Sequence, residues 1–120
     1  MNIQGLNNFI KTLNNATNNF DEEASKRLNN ISQKLVAKVK LKTPVDSGVL
    51  RRSWRVKSEG QLTRIVYNNV KYGPMVEYGH RTRSGKSFVD GRYMLTKSVQ
   101  EIEDTLTSEF SMMIEDLFNR

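Results

Sequence analysis

The chain has 120 residues, 37% of them hydrophobic, and no cysteine, which excludes disulfides, thiolate nucleophiles and Cys-based zinc sites. Its net charge of +6 is unevenly spread: residues 1–48 carry +3 (seven basic, four acidic), residues 49–97 carry +8 (eleven, three) and residues 98–120 carry −5 (one, six). A single domain over 1–120 is expected, with a modest core that is marginal alone or borrows apolar contacts from a partner.

Residues 1–19 hold Leu6, Phe9, Ile10, Leu13 and Ala16 at helical spacing, but the following "NNATNN" is weak helix material. One or two turns are expected there, joined to the next helix or kinked against it. From Phe20 to Leu41, Phe20, Ala24, Leu28, Ile31, Leu35 and Val39 step by three or four residues, which predicts an amphipathic helix of about 22 residues, roughly 33 Å. Glu22 and Glu23 suit its first turn, and Lys38, Lys40 and Lys42 its last. Thr43 precedes Pro44, which pushes it out of the helical region.

Asp46-Ser47-Gly48 is a turn signal. Beyond it Leu50, Trp54 and Val56 fall at even spacing against Arg51, Ser53, Arg55 and Lys57, a half-buried strand pattern. "SEGQ" is a turn and "LTRIVYNN" alternates again, so an antiparallel hairpin over about 51–68 is expected. Pro74 starts a short helical turn between Gly73 and Gly79. Residues 79–91 read as an irregular, mobile basic loop rich in Arg, Ser and Gly. Leu95, Val99, Ile102, Leu106, Phe110, Met113 and Leu117 then predict a second amphipathic helix over about 92–118, with an acidic outer face. Two long helices on a small antiparallel sheet make an α+β domain.

Little in the sequence suggests catalysis. Glu77 and His80 are three residues apart, but a metal needs three or four ligands and no others lie at suitable spacing. The pairs Glu101/Asp104 and Glu115/Asp116 read as a solvated helix face. Gly79 to Gly85 lacks the Lys-Ser/Thr ending of a phosphate loop. No catalytic residue, cofactor or metal is therefore expected. No apolar run approaches the roughly 18 residues of a membrane span, and "MNIQGLNNFIKTLNN" is unlike a secretory leader. A soluble product with no membrane contact is expected.

The candidate surface is basic: Arg51, Arg52, Arg55, Arg81, Arg83, Lys86 and Arg92, with Lys57, Arg64 and Lys71 nearby. Such a set attracts nucleic acid or an acidic protein face. Arginines near Trp54 and Tyr78 suggest base stacking. Alternation, however, puts Trp54 with Leu50 and Val56 on the core face and the arginines on the other.

The order of motifs adds a resemblance. "TPVDSGVLRRSW" at 43–54, "YGPMVEYGHR" at 72–81 and "FVDGRYML" at 88–95 resemble the small tail-component proteins of long-tailed bacteriophages, the neck or tail-completion family. Its pattern runs T-P-V-D-T/S-G-x-L-R-x-S, then Y-A-x-x-V-E-x-G, then a proline- or Gly-Arg-containing entry to the last helix. The chain departs from it at Gly73-Pro74, where the family often has Tyr-Ala. The resemblance implies a structural, non-enzymatic virion protein at the head–tail junction, assembled in the host cytoplasm. It implies a homo-oligomeric ring, commonly sixfold, that meets head-completion and tail proteins. The basic residues would face a neighbouring subunit or DNA passing through the ring. A small basic nucleic-acid-binding module is the alternative.

Overall fold

A computed structural model gives the structure and describes residues 3–46 and 48–119, without the side chains of Ile3, Phe9, Thr12, Leu13, Ala16 and Thr17. Ser47 of the expected turn, and the Phe9, Leu13 and Ala16 side chains of the N-terminal stripe, thus lie outside the described set.

The first element is one unbroken helix, α1 (Ile3–Lys42), of 40 residues, about 60 Å long. Of the two alternatives for "NNATNN", the N-terminal turns join the main helix rather than kink against it, so the helix is longer than the 22 residues expected. Asparagine is a poor helix former but not a breaker, and no proline or glycine occurs between Leu6 and Thr43. The helix stops where Pro44 requires. There Thr43 turns its hydroxyl back onto the Val39 carbonyl at 2.7 Å.

Gly48, at φ 73, reverses the chain into a single helical turn, α2 (Val49–Arg52). A strand was expected from residue 51. Leu50 and Trp54 are four residues apart, a spacing that satisfies both a strand face and one helical turn. Both are buried, as either period requires. The hairpin proper is β1 (Trp54–Ser58) against β2 (Arg64–Asn68), antiparallel, with Trp54 opposite Asn68 and Ser58 opposite Arg64. Asn68 ties its open end, donating to the Leu50 carbonyl at 2.8 Å and accepting from the Val70 N–H at 3.0 Å.

A short α3 (Gly73–Tyr78) carries Pro74 in its first turn, as expected. The stretch read as an irregular loop is instead a second hairpin, β3 (Gly79–Arg81) with β4 (Phe88–Asp90). Its strands are three residues each, too short for periodicity to register. The last helix, α4 (Met94–Phe118), matches its expected span closely.

α1 packs along α4 and across both β1 and β2. Val36, Val39, Leu50, Trp54 and Met94 form the core between them. The Trp54 indole N–H donates to the Thr43 hydroxyl at 2.9 Å, inside this core. Arg64 pins the sheet to α1: its guanidinium reaches Asn29 Oδ1 at 2.6 Å, Ser25 Oγ at 3.0 Å and the Gly60, Gln61 and Thr63 carbonyls.

Ion pairs run between the two long helices, which lie antiparallel. Arg27 meets Glu109 at 2.7 Å and Asp116 at 3.9 Å, while Lys38 and Lys42 converge on Glu101 at 3.2 and 2.8 Å. This register leaves the first part of α1 beyond the end of α4. Among the described side chains, none before Ala24 is buried. The molecule is accordingly long, 79 × 22 × 21 Å, with a radius of gyration of 21.0 Å, against about 14 Å for a compact domain of this length.

Two outcomes are expected. Trp54→Ala costs about 3–5 kcal/mol. Thr43→Val, which orphans a buried indole N–H, costs about 1–3 kcal/mol. Both are read from denaturant midpoints. The ammonium groups of Lys42 and Lys38 hold the Glu101 carboxyl below its ordinary value of 4.5. A folded pKa below the unfolded one means stabilisation that is complete above about pH 4.5 and lost as pH falls through the folded value. Unfolding midpoints measured from pH 6 to 3 should therefore fall less steeply for Glu101→Gln than for the parent chain.

Candidate interaction surface

The β3–β4 hairpin is held rigidly at its root. The Arg92 N–H donates to the Val76 carbonyl at 2.7 Å and the Tyr93 N–H to the Glu77 carbonyl at 3.0 Å, fastening its exit to α3. Gly79 and Gly91 allow this approach. Gly79 has φ 87, and a Cβ there would strike the Val89 carbonyl; one on Gly91 would strike the Glu77 carbonyl. Tyr93 takes a left-handed conformation, φ 50, to turn the chain into α4.

Glu77 completes the junction. Its carboxylate accepts from the Leu95 N–H at 2.9 Å, the Thr96 N–H at 3.1 Å and the Thr96 hydroxyl at 2.8 Å. An anion there satisfies orphan donors and complements the positive helix end. The side chain is buried. The sequence offered Glu77 only as a metal ligand with His80. Its role as a cap supplied from outside the helix had one sequence signal: it is one of only three acidic residues between 49 and 97. His80 is half-buried with Nδ1 unpartnered. Among the described residues, no three His, Cys, Asp or Glu side chains gather.

The hairpin tip is ordered by backbone and hydroxyl hydrogen bonds. The Thr82 N–H donates to the Ser87 carbonyl at 2.9 Å, the Gly85 N–H to the Thr82 carbonyl at 2.8 Å, and the Thr82 hydroxyl contacts both Ser84 and Ser87. Arg83 and Lys86 are displayed on this turn, exposed.

The seven cations expected to act together fall into two sets. Arg51 and Arg52 lie on α2 and Arg55 on β1, where the Arg55 guanidinium donates to the Arg52 and Trp54 carbonyls. Arg81, Arg83 and Lys86 belong to the second hairpin. Arg92 follows at its exit, lining a cleft with Asp46, His80 and Asp90. Among the described residues none of the seven forms an ion pair. Arg64 and Lys57 leave the candidate set as structural: Arg64 is the strut to α1, and Lys57 pairs with Glu59 and sits over the Tyr67 ring.

Sequence reasoning singled out Tyr78 but missed Phe88 and Tyr93. Tyr78 and Tyr93 meet edge to face at 6.2 Å, yet Tyr78 is 62% exposed, Phe88 56% and Tyr93 40%. They surround the hairpin root, and Phe88 shares a face with its register partner Arg81. Single aromatics in a loop carry no periodic signal, so nothing in the spacing grouped them.

A family model described as "Bacteriophage HK97-gp10, putative tail-component" matches residues 7–79, more than half of the chain. No curated protein and no solved structure matches. The matched span runs from α1 through α3 and ends where the second hairpin begins.

Removing the Glu77 carboxylate tests the junction. Glu77→Ala should cost about 1–3 kcal/mol, with faster hydrogen exchange at Leu95 and Thr96. Unchanged exchange there would remove its capping role.

Proposed function

The chain belongs to the HK97-gp10-like family of bacteriophage tail components, and we propose that it acts at the neck, completing the tail or joining it to the head as a homo-oligomeric ring. In this reading it is a structural protein with no enzymatic activity. Its neighbours are head-completion and tail proteins, and Arg51, Arg52, Arg55, Arg81, Arg83, Lys86 and Arg92 meet a subunit or the phosphates of passing DNA. Contact with DNA in transit needs charge but no base recognition.

The observation that carries this reading is the amount of apolar surface left outside the core. Leu41 is 75% exposed and Phe118 72%, and Leu62, Met75, Tyr78, Phe88, Met112 and Ile114 are exposed as well. Scattered exposed apolar residues are normal, but this many large ones on a 120-residue chain suit a protein that finishes its burial in an assembly. The unpaired arginines fit the same picture, since a surface cation without a partner in its own chain is available to another.

Locating the chain by cryo-electron microscopy or gold labelling of intact particles tests the placement. Density at the head-proximal end of the tail is expected. Absence from the particle, or a place at the distal tip, overturns it. Arg51→Ala with Arg52→Ala should shift stability by no more than about 0.5 kcal/mol while lowering the yield of joined particles. A monomer that binds duplex DNA with a steep salt slope, and never associates, would favour the nucleic-acid module instead.

A further inference from the structure

An open, mostly apolar cleft of about 420 Å³ lies between α1, α4 and β2, lined by residues that include Leu28, Leu35, Val99 and Leu106. Its volume is in the range of about 300–1,000 Å³ typical of ligand pockets. Glu103 lines it too. Among the described residues, Glu103 and the adjacent exposed Asp104 form no ion pair. The cleft's one cation, Arg64, has its donors engaged by Asn29, Ser25 and the turn carbonyls.

The second hairpin has the complementary character. It displays Arg81, Arg83 and Lys86 unpaired and Phe88 largely exposed, on a frame fixed at its root. No hairpin residue lines the cleft of its own chain.

We propose that the β3–β4 hairpin of one copy docks in the α1–α4–β2 cleft of the next, Phe88 entering the apolar floor and the three cations facing the free carboxylates of α4. This rests on the ring-forming reading above and names its contact. Three features favour a second copy over nucleic acid. The cleft is apolar and needs an apolar occupant, which a phosphate backbone does not supply. Exposed Tyr, Phe and Arg together have the composition of protein interface anchors. The charges also match in sign, Arg81, Arg83 and Lys86 on the hairpin against Glu103 and Asp104 at the cleft. A donor element and an acceptor element at different places make a heterologous contact, which forms a ring where the rotation between neighbours closes.

The test uses charge reversal in the full chain, with association followed by sedimentation velocity and in assembled tails. Arg81→Glu with Arg83→Glu should weaken association by about tenfold or more, as should Glu103→Lys with Asp104→Lys. The chain carrying all four reversals should recover it. Phe88→Ser should lose association with its unfolding midpoint unchanged. Because the chain has no cysteine, Ser84→Cys with Glu103→Cys can be joined by a short bis-maleimide in assembled tails, and a ladder of multimers is expected. If rings form but ignore the reversals and give no ladder, the hairpin contact is wrong and the ring reading stands. If the parent chain forms no oligomer alone or in tails, the ring reading fails and takes the contact with it. If the arginine reversals abolish duplex DNA binding and leave association intact, the hairpin's partner is nucleic acid and the proposal is overturned.

Discussion

The Glu77 carboxylate accepts three hydrogen bonds from the start of α4 while the backbone carbonyl of the same residue accepts one from Tyr93. Through one buried residue, α3 therefore fixes both where the second hairpin leaves and where α4 begins. That junction can close only because residues 79 and 91 are glycines, since any side chain there would strike backbone. The left-handed turn at Tyr93 carries a conformational cost of about 1–2 kcal/mol, which the converging hydrogen bonds offset. From this junction α4 runs back along α1, and Met94, its first residue, enters the core beside Trp54.

At the opposite side of the core, Thr43 performs a comparable service. Its hydroxyl donates to Val39 and accepts from Trp54, so the residue that ends α1 also seats the aromatic that begins the sheet. The resemblance motifs acquire physical content from these contacts. In "TPVDSG" the threonine anchors tryptophan and the glycine supplies a positive φ; in "VEYG" the glutamate caps a distant helix and the glycine admits a crossing strand. These positions serve folding, while Arg51 and Arg52 between them form no ion pair among the described residues.

The two long helices, the first hairpin and the proline-led turn were legible because each has enough residues to show a period. Legibility failed where elements are short. Leu50 and Trp54 fit one helical turn and one strand equally well, and the three-residue strands of the second hairpin fit nothing. At "NNATNN" poor propensity left joining and kinking both open, and no residue there forbids a helix. Of the candidate surface, the cations could be read from charge density alone. Their division into two sets could not, nor could the aromatic group around the hairpin root, since residues 78, 88 and 93 are brought together only by the junction at Glu77.

The distribution of charge separates what holds this chain together from what it leaves available. Arg27, Lys38 and Lys42 on α1 are matched by Glu101, Glu109 and Asp116 on α4, and these pairs set the helix register. Exposed ion pairs of this kind contribute little energy singly, so their value lies in selecting one antiparallel alignment over its neighbours. Among the described residues, Glu103, Asp104 and Glu115 stand on the same helix with no such partner, and Arg81, Arg83 and Lys86 on the second hairpin form no ion pair either. Unpaired charges of opposite sign on separate rigid elements keep a lone molecule soluble and give a second molecule a preferred orientation. Under the proposed contact, electrostatics would therefore decide which surfaces meet, and the exposed aromatics would supply the burial that the small core lacks.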